Sequence, residues 1–231
     1  MSTAAARCND QPLSHSRGPP PASSSSTASS ARPQWQRPQD SNAKLHRYRP
    51  TTTSAEAHVY VLTLRLSSSL HDPLNALRSR HFPPHLLQVP AHLTLFHALP
   101  HSKLDDVAAA LETVAAKTAP FRVTSGAAFR MGSQGVAVSP GEGAHEGAQV
   151  HGELRTAWAG FLSKQDAREF RAHWTIMNKV GDEDKVARAF AEVRQWAERE
   201  GAEGEADGLV LWRYAHGKWV FEREFVFAGR K

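Results

Sequence analysis

Two short stretches of this 231-residue chain carry the same residue types in the same order, His92-Leu93-Thr94-Leu95 and His173-Trp174-Thr175-Ile176. Successive side chains of a strand point to opposite faces, so a histidine and the threonine two places on share one face. Leu93 and Leu95, or Trp174 and Ile176, then turn toward a core. Two such strands set side by side would bring two imidazoles and two hydroxyls into one cleft. An unperturbed imidazole titrates at about pH 6.5, so one ring can take a proton while the other gives one. The hydroxyls suit an anion as hydrogen-bond donors. Of the 13 histidines, only His92 and His173 have Ser or Thr two places on. Either tetrad alone is equally well read as a half-buried strand with a satisfied polar face. The repetition is what points to chemistry.

The elements around the tetrads follow one order twice. His58 to Leu66 reads as a central strand, apolar on both faces. Asp72-Pro73 predicts the start of a short helix with Leu74 and Leu77 on its apolar side, and Pro83-Pro84 its end. The first motif strand runs from His92 to Ala98. Ser102 and Asp105 have capping-box-like spacing before a helical stripe of Leu104, Val107, Ala108, Leu111, Val114 and Ala115. Phe121 to Arg130 and Gln134 to Ser139 predict two strands, Pro140 to Gly147 a loop, and Val150, Leu154, Trp158 and Phe161 a helix. The second motif strand, His173 to Lys179, leads into a helix that opens at Asp182-Glu183-Asp184 and buries Val186, Phe190, Val193 and Ala197. Gly201 to Gly208 reads as a flexible acidic connector, and Leu209 to Tyr214 with Lys218 to Phe227 as a hairpin around Ala215-His216-Gly217. Each half is thus a His-x-Thr strand, an amphipathic helix and two strands.

Charge and composition narrow the classes. Of 28 Lys/Arg and 23 Asp/Glu, seven and two lie in residues 1–55, so the remaining 21 and 21 cancel. The basic character belongs to the N-terminal segment and gives no large nucleic-acid-binding face to the rest. That segment, rich in Ser, Pro, Ala and Arg, has too few apolar side chains to offset its ordering entropy and is expected to be disordered. Its Ser- and Arg-rich, acid-poor composition also resembles an organellar transit peptide, although its prolines argue against the helix such signals form. Cys8 is the single cysteine, which rules out an intramolecular disulfide or a cysteine zinc site and fits a reducing intracellular compartment, cytoplasmic or nuclear. No apolar run approaches the roughly 20 residues of a membrane helix.

The paired tetrads resemble the His-x-Thr/Ser-x motifs of the 2H phosphoesterases, the superfamily of 2'-5' RNA ligase-like proteins and 2',3'-cyclic phosphodiesterases. The entry Pro90-Ala91-His92-Leu93-Thr94-Leu95-Phe96 is similar too, while Ala172 stands where relatives often place Pro. The resemblance covers about His58 to Phe227. It implies an α+β fold of two pseudo-symmetric lobes, each an antiparallel sheet with flanking helices, around a central cleft. It also implies a hydrolase of 2',3'-cyclic phosphate at RNA termini or on cyclic nucleotides, acting as a monomer without metal or cofactor. His92 and His173 would be general acid and base, in an order the sequence leaves open, and Thr94 and Thr175 would bind the phosphate. The resemblance also implies reversible 2'-5' RNA ligation as a second activity, with RNA processing as its context.

Other candidates have plainer readings. His97 and His101 near His92 suggest a metal site, but His97 points away from His92 in a strand and His101 lies beyond Pro100. Arg130, Arg171 and Lys179 are expected to be solvated. Phe96 should share the His92 face, where it would stack on a base or close the core. Two alternatives remain, a non-catalytic nucleotide- or RNA-binding module of the same fold and an adaptor that recruits partners through its N-terminal tail. Removal of residues 1–55 separates enzyme from adaptor: the domain formed by residues 56–231 is expected to keep full turnover of a cyclic nucleotide, and loss of function on truncation would favour the adaptor.

Overall fold

In the computed structural model, which describes residues 49–52, 55–215 and 218–230, seven strands and four α-helices alternate along the chain. They are β1 (Val59–Leu66), α1 (Ser68–His81), β2 (Thr94–Pro100), α2 (Leu104–Lys117), β3 (Phe121–Arg130), β4 (Val136–Pro140), α3 (Ala144–Ala157), β5 (Trp174–Met177), α4 (Glu183–Arg199), β6 (Glu203–Ala215) and β7 (Lys218–Val226). The expected order of motif strand, helix and two strands is present in both halves, as β2-α2-β3-β4 and β5-α4-β6-β7. Among the described residues, no helix is long and apolar enough to cross a membrane.

Every strand pair is antiparallel, in the order β2-β1-β6-β3-β4-β5, with β7 also on β6. Two strands divide their length between neighbours. β6 pairs with β3 over Glu203 to Ala206 and with β7 from Gly208 onward, while β3 leaves β6 after Thr124 and pairs with β4. The β3–β6 step therefore joins a β2-β1-β6-β7 lobe to a β3-β4-β5 lobe. Helix α2 lies on β2, β6 and β7 beside α3; α4 lies on β3 and β4, and α1 on β5 and β6. Each lobe thus buries the apolar side of its sheet under helices, which is how an α+β fold satisfies both elements.

Several boundaries depart from the sequence reading, each for a local reason. Helix α1 begins at Ser68, not at Asp72-Pro73, and holds Pro73 inside it. Leu70, Leu74 and Leu77 are buried along one side, so the first turn is drawn in by Leu70, and Pro73 removes only one backbone bond near an exposed end. The Ser102 hydroxyl caps nothing on α2; it donates to Glu56 Oε1 at 2.7 Å. Helix α3 starts at Ala144, directly after Gly143 at φ 79°, and Trp158 and Phe161 follow its last residue. The expected connector from Gly201 to Gly208 is mostly strand, the first half of β6. Its glycines mark close approach, since a Cβ at Gly204 would collide with Ser67 Oγ and one at Gly208 with the Phe225 carbonyl. Residues 1–48 of the expected disordered tail, and the turn residues His216 and Gly217, lie outside the described residues. Pro50 is buried, and Thr51 bonds through its N–H to Phe161 O at 3.2 Å and through its hydroxyl to Leu162 O at 3.1 Å.

One buried carboxylate ties the segment leading to the second motif onto the first motif strand. Asp166 accepts from the backbone N–H of His97 (2.8 Å) and Ala98 (3.0 Å) and from Ser163 Oγ (2.9 Å), with His97 Nδ1 at 3.2 Å. Beside it His151 stacks between Phe96 and Phe170, at 4.6 and 5.0 Å between ring centroids. Asp166→Ala leaves buried donors unmatched, each worth about 1–3 kcal/mol. Its urea midpoint should fall by a matching amount, and an unchanged midpoint would show that water replaces the carboxylate.

Candidate active site

Both motif histidines sit at strand entrances, one or two residues before β2 and β5 begin. The same local device holds each ring. His92 Nδ1 lies 2.7 Å from Pro90 O, and His173 Nδ1 lies 2.9 Å from Arg171 O. A carbonyl only accepts, so Nδ1 carries the hydrogen in both rings and Nε2 is left as the free nitrogen. The two rings therefore turn the same atom, Nε2, away from the backbone clamp.

The threonines follow a second matched device. In β2, Thr94 pairs with Thr63 and the next paired residue is Phe96, which faces Leu62: two residues on the motif strand oppose one on β1. In β5, Thr175 pairs with Ala137 and the next is Met177 against Val136, the same excess of one residue. A bulge of this kind turns the strand over locally. It explains why Phe96, expected on the His92 face, is instead fully buried against His151 and Trp158. Thr94 and Thr175 remain half-buried, and among the described residues the Thr175 hydroxyl has only the weak acceptor Met131 Sδ at 3.9 Å. Leu93, Leu95, Trp174 and Ile176 are buried, as the tetrad pattern requires.

What brings the tetrads together is a residue the tetrads do not contain. Arg78 of α1, 3% exposed, donates from Nη1 to the Thr175 carbonyl and from Nη2 to the Val89 carbonyl at 2.9 Å. One guanidinium thus grips the second motif strand and the approach to the first. Its Nε is buried without a partner, and its ring contact is Phe82 at 4.6 Å. Among the described residues it forms no ion pair with a carboxylate. Burial pushes Arg78 down to about 10, which still leaves it charged at neutral pH. The sequence held a trace of this role, because Arg78 continues the buried Leu70, Leu74, Leu77 stripe of α1 at helical spacing.

The electrostatics fall on His92. Burial pushes its imidazole down to about 4, the Nδ1 bond to Pro90 opposes that, and the charges of Arg78, His97 and His173 lower it further. His92 is accordingly neutral at pH 7 and ready to accept a proton. The motif strands β2 and β5 stand at opposite ends of the strand order, so they do not pair side by side, and Arg78 is what links the two motifs. Each motif histidine also meets an aromatic ring, Trp219 of β7 at 4.4 Å from His92 and Phe129 of β3 at 6.0 Å from His173. Neither aromatic stood out in the sequence.

The remaining candidates lie elsewhere. His97 is engaged with Asp166, and His101 Nδ1 lies 2.9 Å from the Tyr60 hydroxyl, so the three nearby histidines do not converge. Among the described residues no three His, Cys, Asp or Glu side chains form a metal cage. Arg130, Arg171 and Lys179 are exposed, and Arg171 contributes its carbonyl to His173. By NMR, the His92 ring should titrate at about pH 4; in Arg78→Met the value should rise yet stay below 6.5, because burial, the larger cause, is untouched. A wild-type ring titrating near 6.5 would overturn this picture.

The family model described as the 2'-5' RNA ligase superfamily matches residues 66–218, more than half of the chain and both tetrads. No curated protein matches the chain in sequence. Among solved structures, TT0787 of Thermus thermophilus is 17% identical, with a TM-score of 0.54 and 75% of this chain and 100% of that one covered. E. coli LigT in apo form is 16% identical, with a TM-score of 0.53 and 74% and 98% covered. E. coli LigT complexed with 3'-AMP is 16% identical, with a TM-score of 0.50 and 75% and 99% covered. At such identity the likeness is one of fold, the two-lobed α+β architecture expected from the paired tetrads. With the family model spanning both motifs, the chain belongs to the 2'-5' RNA ligase superfamily, the 2H phosphoesterases.

Proposed function

We propose that residues 56–231 form a metal-independent phosphodiesterase that opens 2',3'-cyclic phosphates at RNA termini or on nucleotides. The observation that carries this reading is the matched pair of Nδ1–carbonyl clamps, which leaves two Nε2 atoms free for proton transfer. Hydrolysis needs little more from the protein. A water oxygen attacks phosphorus, its proton passes to one Nε2, and the bond from phosphorus to one ribose oxygen breaks as the other Nε2–H protonates that oxygen. One water is consumed, and solvent restores the two rings to their starting protonation.

Burial keeps His92 unprotonated, which suits it to the base in the hydrolytic direction and leaves the acid to His173. Thr94 and Thr175 donate to the non-bridging oxygens as charge builds on them. The uncompensated Arg78 cation lies behind both motifs and favours an anion between them. With a 5'-hydroxyl in place of water, the same two rings would form the bond from its oxygen to phosphorus and break the bond to the 3'-oxygen, joining the ends as a 2'-5' linkage. Relatives of this fold crystallised with 3'-AMP and with phosphate are consistent with such a ligand.

Single His92→Ala and His173→Ala variants should stay folded by circular dichroism and lose about 10²–10⁴-fold in kcat/KM on 2',3'-cyclic AMP. Near-wild-type turnover in either variant would refute the two-histidine scheme, and a strong loss with EDTA would point to a metal enzyme. The acid limb of kcat/KM reports the free base, so activity should persist down to about pH 4 rather than fall at 6.5. Binding of the nucleotide by wild type without any turnover would support the binding-module alternative.

A further inference from the structure

The hairpin formed by β6 and β7 carries four aromatic side chains whose placement the phosphodiesterase reading does not require. Trp212 and Tyr214 are two apart on β6, and Trp219 and Phe221 are two apart on β7. The register sets Tyr214 opposite Trp219 and Trp212 opposite Phe221. Directly opposed residues of an antiparallel pair, and residues two apart on one strand, share a face. All four rings therefore lie on one side of the hairpin. Trp212 meets Trp219 at 6.2 Å and Phe221 at 6.1 Å between centroids.

That side leads to the candidate active site. Trp219 lies against His92 at 4.4 Å. Trp212 Nε1 donates to Thr63 Oγ1 at 2.9 Å, and Thr63 is the strand partner of Thr94. The array is continuous with the first motif at one end and open at the other, where Phe221 is 57% and Tyr214 45% exposed. Large aromatic side chains exposed together need an occupant.

Charge decides among occupants. Arg65, on the same face as Thr63 and Trp212, pairs with Asp207 (2.7 Å) and Glu224 (3.2 Å), so the cation beside the rings is already balanced. Such a face offers little to a phosphate backbone or an acidic peptide. It offers π-faces to unpaired bases, which stack on aromatic side chains regardless of sequence. A terminal phosphate at His92 would lead the ribose and bases attached to it toward Trp219.

We propose that the Trp212–Tyr214–Trp219–Phe221 face is a stacking platform for the unpaired bases that precede the reacting end of a single-stranded RNA. The proposal rests on the phosphodiesterase reading for which end lies at His92. It makes a short oligonucleotide, rather than a free cyclic nucleotide, the preferred substrate. It also makes binding tolerant of sequence and only weakly dependent on salt.

The experiment compares 2',3'-cyclic UMP with a trinucleotide ending in a 2',3'-cyclic phosphate, on wild type, Phe221→Ala, Tyr214→Ala and Val220→Ser. Val220 pairs with Arg213 on the opposite face and serves as the control. Wild type should prefer the trinucleotide in kcat/KM. Phe221→Ala and Tyr214→Ala should erode that preference, since loss of one base-stacking partner lowers affinity by about five- to 150-fold. Val220→Ser should keep the preference. A second arm measures fluorescence anisotropy of a labelled five-nucleotide oligouridylate bearing a 3'-phosphate. Its affinity should weaken in the two aromatic variants and change by less than about tenfold between 50 and 200 mM salt, where six to ten phosphate contacts would lose about 10³–10⁵-fold. Aromatic-dependent binding without turnover would refute the phosphodiesterase reading and leave the platform standing. Equal kcat/KM for both substrates together with aromatic-independent binding would overturn the platform, as would a wild-type dimer that Phe221→Ala dissociates, which would assign the face to a second copy of the chain.

Discussion

A single buried guanidinium holds the two halves of the candidate site in register. Arg78 reaches the Thr175 carbonyl with one arm of its fork and the Val89 carbonyl with the other, joining segments far apart in sequence. Neither a lysine nor a neutral amide has that planar reach. An arginine buried with only carbonyls for partners is an expensive group to keep, because desolvation opposes its charge. Its position explains the tolerance: the same cation that ties the motifs biases the space between them toward an anion and helps to keep His92 neutral.

Around that tie the two lobes repeat one local solution. Each motif enters its strand through a histidine whose Nδ1 is clamped by the carbonyl two residues earlier. Each then places a threonine before a bulge that turns the following residue away. The bulge lets a single strand supply polar groups at one end and core residues at the other, as the burial of Phe96 and Met177 shows. The symmetry is incomplete where it matters for chemistry. His92 meets Trp219, and His173 meets Phe129 at a greater distance. Burial lowers the proton affinity of His92.

The tether through Asp166 complements the one through Arg78. It fastens the segment that precedes the second motif to the backbone of His97 and Ala98, so both motifs are referenced to the same strand. Beyond β6, the aromatic side of the β6–β7 hairpin extends the site outward. Residues 56–231 carry equal numbers of acidic and basic side chains, so their net charge favours no extended phosphate backbone.

Most of the element order was legible in the sequence, because period-2 and period-3.6 patterns report local burial directly: β1, α2, β3 and α4 lie where the apolar spacing places them. The tetrads were legible for the same reason, together with their repetition. Glycine concealed the first half of β6, since Gly204 and Gly208 serve close approach and leave no side chain to show alternation. Pro73 concealed the first turn of α1, where burial of Leu70 outweighed one missing hydrogen bond. The amino-acid sequence by itself determined the paired His-x-Thr strands, the neutral domain and the superfamily. Only the tertiary structure decided that Arg78 joins the motifs, that bulges turn Phe96 inward, that burial lowers the proton affinity of His92 and that four aromatics form one face. Those outcomes depend on which distant residues share a low-dielectric neighbourhood, and a linear pattern of residue types does not carry that information.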